Sequence, residues 1–73
     1  MWYYKSPIGN IYIKQLSDGR YGMEYANVVW ESCDTPQAVA DNVYMQCTGY
    51  SKWDLLNTIA IDIPHSLDEW DKG

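Results

Sequence analysis

The side chains that could carry catalysis or bind a metal are few and far apart in this sequence. Its single histidine, His65, follows Pro64 near the end of the chain, whereas the two cysteines, Cys33 and Cys47, fall at a predicted strand and a predicted helix. A nucleophile needs its base within hydrogen-bonding reach, and a zinc site needs ligands at a characteristic spacing such as CxxC. We therefore expect His65 to be a loop residue and predict no metal site.

Four carboxylates, Asp62, Asp68, Glu69 and Asp71, also lie close together in the sequence. Paired carboxylates can act as general acid and base when one of them is desolvated. Asp68 and Glu69 fall instead in the predicted first turn of a helix, where the helix dipole favours negative charge. The glycines are dispersed and form no phosphate-binding loop. We therefore expect no enzyme activity and no cofactor.

The charge balance is acidic, with a net charge of −5. Residues 1–20 carry +2, whereas residues 21–50 carry −4 without any base, and residues 51–73 carry −3. Nucleic acid would on balance repel such a chain, because phosphate binding depends on lysine and arginine. Solubility is the simplest role for this charge.

We expect neither a leader peptide nor a membrane span. The first residues, MWYYKSPIG, lack a basic region followed by an apolar run, and no stretch approaches the ~18 apolar residues that cross a bilayer. The protein is therefore predicted to be cytoplasmic, with Cys33 and Cys47 reduced and buried. A disulfide between them is an alternative that their spacing leaves open.

Large amphipathic rings dominate the apolar content of this short chain. Four Trp and seven Tyr but no Phe occur among 73 residues, of which 47% are hydrophobic. A domain of this size buries only roughly 60% of the surface of its unfolded chain, so some rings should stay half-exposed. The expected core residues are Trp2, Ile11, Ile13, Met23, Trp30, Val39, Val43, Tyr44, Trp53 and Leu56.

Alternation of apolar and polar residues predicts an antiparallel meander in the first half of the chain, residues 1–33. Its three or four strands are drawn from residues 2–5, 11–16, 21–25 and 28–33. Gly19 suits a hairpin loop because glycine adopts positive φ readily. Asn27 suits a second tight turn, since asparagine tolerates the left-handed region.

One main helix is predicted over residues 35–48. Thr35 is a good N-cap and a proline follows it at the first helical position; Asp34 with Gln37 is an alternative capping box. An apolar stripe at helical spacing should face the sheet. Gly49 follows as the expected C-cap.

The remaining residues, 51–73, are predicted to form a tail that closes the core. The tail should contain a helical turn at residues 51–54 and a short helix opened by a capping box at residues 66–69. An extended segment is indicated by the alternation of Ile59, Ile61 and Ile63. The chain, residues 1–73, is thus predicted to be a single α+β domain: a three- to four-stranded antiparallel sheet packed by one main helix, with a short C-terminal helical tail.

The order of these motifs resembles that of a group of small bacterial proteins of unknown function. In that group an aromatic N-terminal strand and a Gly-Arg hairpin precede an (S/T)-P-x-x-A-A-D helix, and a WD pair and a final P-x-x-L-x-x-W follow. The matching residues here are Tyr3-Tyr4-Lys5, Gly19-Arg20, Thr35-Pro36, Ala40-Asp41, Trp53-Asp54 and Pro64 with Leu67 and Trp70. The resemblance covers nearly the whole chain and implies a stand-alone bacterial protein, but no activity comes with it.

A second, partial resemblance concerns the segment ESCDTPQAVADNVY. It is similar to the strand-to-helix step of AP2-type DNA-binding domains, in which three strands precede a helix. Those domains present Arg- and Trp-rich strands to DNA, whereas the strands here carry Glu24 and Glu31, and residues 21–50 hold no Lys or Arg. This resemblance therefore implies an order of elements and not DNA binding.

The surplus of aromatic residues favours a surface that binds another protein, because Tyr and Trp are enriched at interfaces. We expect a non-enzymatic, intracellular protein-interaction module, for which a homodimer is one form of the interaction. An exposed edge strand, at residues 2–5 or 28–33, is one place where two copies could pair. The candidate interaction residues are Tyr12, Lys14, Arg20, Tyr21, Tyr25 and Trp70.

Two alternatives stay open at this point. Tyr12 and Lys14 share a strand face with Arg20 and Lys5 nearby, and a basic aromatic sheet face can bind single-stranded nucleic acid. The acidic charge would suit instead a mimic of nucleic acid that occupies a basic partner protein. The first alternative predicts binding that salt weakens steeply.

Overall fold

A five-stranded antiparallel sheet organises the chain, whose computed structural model describes residues 1–57 and 62–73. The elements are, in order, β1 (Trp2–Ser6), β2 (Gly9–Gln15), β3 (Tyr21–Tyr25), β4 (Val28–Cys33), α1 (Pro36–Met45), α2 (Ser51–Asp54), a 3₁₀ turn (Leu67–Glu69) and β5 (Asp71–Lys72). The strand order across the sheet is β4-β3-β2-β1-β5. The predicted α+β class is therefore confirmed.

The prediction of three or four strands is wrong because of β5. Asp71 and Lys72 pair antiparallel with Tyr3 and Trp2. A strand of two residues has no alternation that a sequence pattern could reveal, and it forms because the edge of β1 offers unpaired backbone groups. Pairing with β5 means that β1 is no longer an edge strand at Trp2 and Tyr3.

Tight turns set the register of the meander. Ala26 and Asn27, between β3 and β4, have φ values of 53° and 64°, the two positive values of the type I′ hairpin turn. Gly19 has a φ of 86° in the loop between β2 and β3. In β4 the partners shift from Met23–Glu31 to Glu24–Val29, so one extra residue forms a β-bulge there.

The hydrophobic core lies between α1 and one face of the sheet. Its completely buried side chains are Ile11, Ile13, Met23, Val39, Ala40, Val43 and Trp53, all 0% exposed. The Trp53 indole Nε1 donates a hydrogen bond of 3.0 Å to the Val43 carbonyl. The indole nitrogen is thus satisfied inside the core, as a buried tryptophan requires.

Four of the residues expected in the core are less buried than predicted. Trp2, Trp30 and Leu56 are half-buried around the core. Tyr44 is 40% exposed, because on a helix it points about 100° away from its buried neighbour Val43. Its ring packs instead against His65, with 3.9 Å between the ring centroids.

The main helix begins where predicted and ends earlier than predicted. Thr35 is the N-cap, and its Oγ1 accepts a hydrogen bond of 3.1 Å from the Ala38 backbone N–H. The helix ends at Met45, because Gln46 adopts the left-handed conformation at φ 57°. The expected C-cap, Gly49, also has a positive φ of 87°, but it lies in the loop beyond the helix.

The tail forms two short turns, and the capping box predicted at residues 66–69 is absent. α2 begins after Tyr50 without a side-chain cap, and the Ser66 hydroxyl donates to the carboxylates of Asp68 and Glu69 rather than capping the backbone. Ile63 is buried at 8% exposure. The remainder of the predicted extended segment, Ile59 and Ile61, lies outside the described residues.

Candidate functional site

One face of the sheet packs against α1, and no helix of the described residues covers the other face. The strand register places residues opposite one another on this second face, which we call the open face. Tyr3 pairs with Tyr12, and Tyr12 pairs with Glu24. One row of side chains therefore crosses all five strands of the open face: Asp71, Tyr3, Tyr12, Glu24 and Val29.

Two aromatic rings lie in the middle of this row, and its Glu24 forms an ion pair with Lys14, which lies beside the row on β2. The Tyr3 and Tyr12 ring centroids are 6.3 Å apart, within the range of favourable aromatic pairs. The Lys14 Nζ lies 2.7 Å from the Glu24 Oε2. Both tyrosines are half-buried, and Val29 at the end of the row is 42% exposed. The row thus combines apolar contact area with a charge pair that is already neutralised.

Gly22 leaves room for two aliphatic side chains, Val29 and Leu16, at one end of the open face. A Cβ atom at Gly22 would lie 2.9 Å from the Val29 Cγ1 and 3.1 Å from the Leu16 Cδ1. Both distances are too short for ordinary packing, so a side chain at Gly22 would displace its neighbours. The side chains of Val29 and Leu16 therefore both lie against this glycine.

The six predicted interaction residues do not form a single surface. Tyr12 and Lys14 lie together on the open face. Tyr21 and Tyr25 point to the opposite face, where Tyr21 packs edge-on against Trp2 at 6.4 Å. Trp70 is 6% exposed and belongs to the core.

Tyr25 is occupied by intramolecular contacts at the end of the sheet. Its ring stacks on Tyr50 with 5.1 Å between centroids, and its hydroxyl donates to the Ile8 carbonyl. Trp30, the residue of the β-bulge, also packs against Tyr50, with 4.4 Å between the ring centroids. This aromatic stack joins the loop before α2 to the sheet.

Arg20 joins the β2–β3 loop to the end of β4 through an ion pair and two hydrogen bonds. Its Nη1 lies 2.6 Å from the Asp34 Oδ1, and its Nε and Nη2 donate to the Ser32 hydroxyl and carbonyl at 3.2 and 3.1 Å. Its guanidinium, like the Lys14 ammonium, is therefore already paired within the chain. Neither base is a free cation.

The sequence patterns did not identify Tyr3, Glu24, Val29 and Asp71 as part of a shared surface. The short loop between β1 and β2 indicates that Tyr3 lies opposite Tyr12, because a tight hairpin sets the register of both strands. The bulge and the pairing of β5 leave no comparable signal. The positions of Val29 and Asp71 in the row are known only from the fold.

Beneath α1, a small polar cluster is centred on Glu31. The Asn42 Nδ2 donates to both Glu31 carboxylate oxygens at 3.3 and 3.2 Å, and the Cys33 thiol donates to Oε1 at 3.8 Å. Burial, with a smaller contribution from the negative charge of Asp54, raises the pKa of Glu31 to about 7, against the hydrogen bonds from Asn42 and Cys33. The carboxyl group is thus partly protonated near neutral pH.

This cluster offers no activated nucleophile. Burial first, and then the charge of Glu31, raise the pKa of the Cys33 thiol, and a thiol in such surroundings is inert. Cys47 is exposed, and both cysteines are free thiols. Within residues 1–57 and 62–73, no group of three His, Cys, Asp or Glu side chains is arranged to hold a metal ion.

Comparison with protein-family models, curated proteins and solved structures finds no match for this chain. The resemblance to a small bacterial protein group, and with it the bacterial origin, therefore stays a prediction. Among the described residues no helix has the length and apolar character that a membrane crossing requires.

Proposed function

We propose that this protein is a non-enzymatic, intracellular protein-interaction module that self-associates through the open face. The observation that carries the proposal is the row across the sheet, in which the Tyr3–Tyr12 pair and the exposed Val29 lie on a face without a covering helix. Two such faces can pack as sheets do in a sandwich, about 10 Å apart. The dimer would then have helices on its two outer sides and the two sheets between them.

The size of the open face supports a weak rather than a permanent dimer. Five strands spaced about 4.8 Å apart span about 19 Å, and β1 to β4, with five to seven residues each, are about 17–23 Å long, whereas β5 has two residues. The resulting plane of roughly 400 Å² is smaller than the ~800 Å² per partner of a standard interface. We therefore expect a dissociation constant of the dimer in the micromolar range or above.

The charges on the open face allow two copies to approach. Lys14 offsets Glu24, and Lys5, which shares this face through its pairing with Asn10, offsets Asp71. The whole chain nevertheless carries −5, so two copies repel each other at long range. Added salt screens that repulsion and should strengthen the dimer.

The edge of β4 supports self-association less well than the open face. Val28 and Val29 are exposed there, at 46% and 42%. The Ser32 carbonyl is however engaged by Arg20, and the bulge disrupts the regular strand. Bulges and covered edges are features that protect edge strands from pairing.

Sedimentation velocity from about 10 μM to about 1 mM tests the proposal. Wild-type protein should shift from monomer to dimer, and Tyr12→Glu and Val29→Glu should stay monomeric. Met45→Glu is the matched control, because it adds the same charge at a residue that is 58% exposed on α1. A monomer at every concentration, or equal weakening by all three variants, would contradict the proposal.

The nucleic-acid alternative has less support, because Lys14 and Arg20 are both paired within the chain. The acidic-mimic alternative is weakened in the same way: Glu24 and Asp34 are the partners of those bases. Fluorescence polarisation with a labelled single-stranded oligonucleotide at about 50 mM salt separates the possibilities. We expect no binding there; binding that Lys14→Glu abolishes would favour the nucleic-acid alternative.

A further inference from the structure

A cavity of about 510 Å³ lies on the other side of β1 from the open face. It is lined by Trp2, Gln37, Leu67, Asp68, Trp70 and Lys72. Its volume falls within the ~300–1,000 Å³ of small-molecule sites. The lining comes from β1, the first turn of α1, the 3₁₀ turn and β5, so the site exists only in the folded chain.

The walls of this cavity are held in place by contacts outside it. Trp2 packs against Tyr21 at 6.4 Å, and Trp70 packs against Tyr4 at 5.7 Å, both edge to face. The Gln37 Oε1 accepts a hydrogen bond of 2.9 Å from the Leu67 backbone N–H, which ties the 3₁₀ turn to α1. Trp2, Leu67 and Trp70 form the apolar part of the lining, and Gln37, Asp68 and Lys72 form its polar part, a combination that small-molecule sites use.

Two donors of the lining residues have neither a hydrogen-bond acceptor nor an ion pair among the described residues. The Trp70 indole Nε1 is buried, and no acceptor for it exists among the described residues. The Lys72 Nζ lies 5.7 Å from the Trp2 ring centroid and makes no ion pair within residues 1–57 and 62–73. A buried N–H without an acceptor is rare in proteins, but the Trp70 nitrogen is closed to solvent, whereas Lys72 is exposed and a ligand can reach it directly.

Two acceptors that line the cavity, the Gln37 carboxamide oxygen and the Asp68 Oδ1, are already engaged. Gln37 accepts from the Leu67 N–H and donates through its Nε2 to the Asp41 Oδ1 at 2.8 Å. The Asp68 carboxylate accepts from the Ser66 hydroxyl. A ligand that offers hydrogen-bond donors would therefore compete with these bonds or turn to the second Asp68 oxygen.

We infer that the cavity between Trp2 and Trp70 binds a small aromatic carboxylate. The ring of the ligand packs against the half-buried Trp2 indole, the exposed edge of Trp70 and Leu67, and its carboxylate accepts from the Lys72 ammonium. This inference does not rest on the proposed dimer, because the cavity and the open face use different side chains.

Three ligands that share one ring test the inference: indole-3-acetate, neutral indole and tryptamine. Each is titrated to about 10 mM while the indole N–H signals of the four tryptophans are followed in ¹H–¹⁵N spectra. Indole-3-acetate should shift the Trp2 and Trp70 signals and bind several-fold more tightly than tryptamine. Tighter binding of tryptamine would show that Asp68 selects a cation and would overturn the inference, and so would the absence of any shift.

Lysine variants provide the second arm of the experiment. Lys72→Gln should weaken indole-3-acetate binding about three- to fivefold, the usual contribution of an exposed charge pair, and should leave indole binding unchanged. Lys52→Gln, at an exposed lysine of α2, is the matched control. Equal weakening by both variants would indicate only a general effect of charge and would overturn the assignment to this cavity.

Discussion

Replacing Glu31 by glutamine should stabilise this protein at alkaline pH and leave its stability unchanged in acid. Glu31 lies opposite the fully buried Met23 in the sheet, and Asn42 donates to both of its carboxylate oxygens. Burial raises the pKa of Glu31 from 4.5 to about 7. The folded protein therefore holds a proton that the unfolded chain releases between these two values.

The sign of the pH dependence follows from this raised pKa. Because the folded-state pKa exceeds the unfolded-state value, the stabilisation by the protonated carboxyl is complete below about pH 4.5 and is lost as the pH rises through about 7. Glutamine keeps a neutral side chain of the same shape and one oxygen that accepts from Asn42. The variant therefore avoids the cost of a buried negative charge at pH 8.

The magnitude can be worked out from the two pKa values. At about 1.36 kcal/mol per pH unit, the difference between 4.5 and about 7 corresponds to at most about 3.4 kcal/mol. The side chain is only half-buried, and solvent screening reduces this to roughly 1–2 kcal/mol. For a domain of this size we expect an increase in Tm of about 4–15 °C at pH 8.

Thermal and urea unfolding of both proteins at several pH values from about 4 to 8 measures this difference. Glu24→Gln is the matched control, because it removes a carboxylate that pairs with Lys14 on the open face. Its free energy of unfolding should be lower than that of the wild-type protein by up to about 1 kcal/mol at pH 8. If Glu31→Gln raised the free energy of unfolding equally at pH 4 and pH 8, or lowered it at pH 8, the reasoning would be refuted.

Three further substitutions test the packing of the fold. Val43→Asp places a carboxylate at a position that is 0% exposed. Because an unpaired buried charge costs several kcal/mol, the variant should lose the cooperative melting transition seen by circular dichroism. A normal transition would contradict the position of α1. Gly22→Ala should lower the free energy of unfolding by about 1–3 kcal/mol in urea titrations, since the new Cβ would lie 2.9 Å from the Val29 Cγ1 and 3.0 Å from the Glu31 carbonyl oxygen. An unchanged midpoint would contradict this close packing around Gly22. In the wild-type protein the Asp54 carboxylate accepts from the buried Thr48 N–H and hydroxyl at 2.9 and 2.8 Å. Asp54→Ala removes this acceptor and should lower the free energy of unfolding by about 2–3 kcal/mol. An unchanged value in the same titration would contradict this.

The parts of the fold that depend on neighbouring residues could be predicted from the sequence. Alternation along β2 to β4 is a local property of the chain, and so is the start of α1 at Thr35, whose side chain caps the helix within three residues. The turns at Gly19 and Asn27 likewise depend on residues that tolerate positive φ. Each of these features follows from local backbone chemistry.

The features that were missed depend on residues distant in the sequence. The end of α1 coincides with hydrogen bonds from the Gln46 Nε2 to the Trp53 and Leu56 carbonyls at 2.7 and 2.8 Å, and no local pattern reveals these. β5 exists only as a partner of β1. Because these contacts form after the chain has folded back on itself, propensity and periodicity do not predict them.

The candidate site shows the same division between local and distant contacts. The period of two along β2 places Tyr12 and Lys14 together on one face, as predicted. The partner of Arg20 is Asp34, which follows β3 and β4 in the chain. The sequence alone therefore did not show that this arginine forms an ion pair. A surface composed of five strands can be read only after their order and register are known.

A dilution series of ¹H–¹⁵N correlation spectra most directly tests self-association through the open face. Between about 1 mM and about 20 μM, the backbone amide signals of Tyr3, Tyr12 and Val29 should move with concentration, and those of Met45 on α1 should not. Signals that are identical at all concentrations, or that move on α1 rather than on the open face, would contradict the proposed interface.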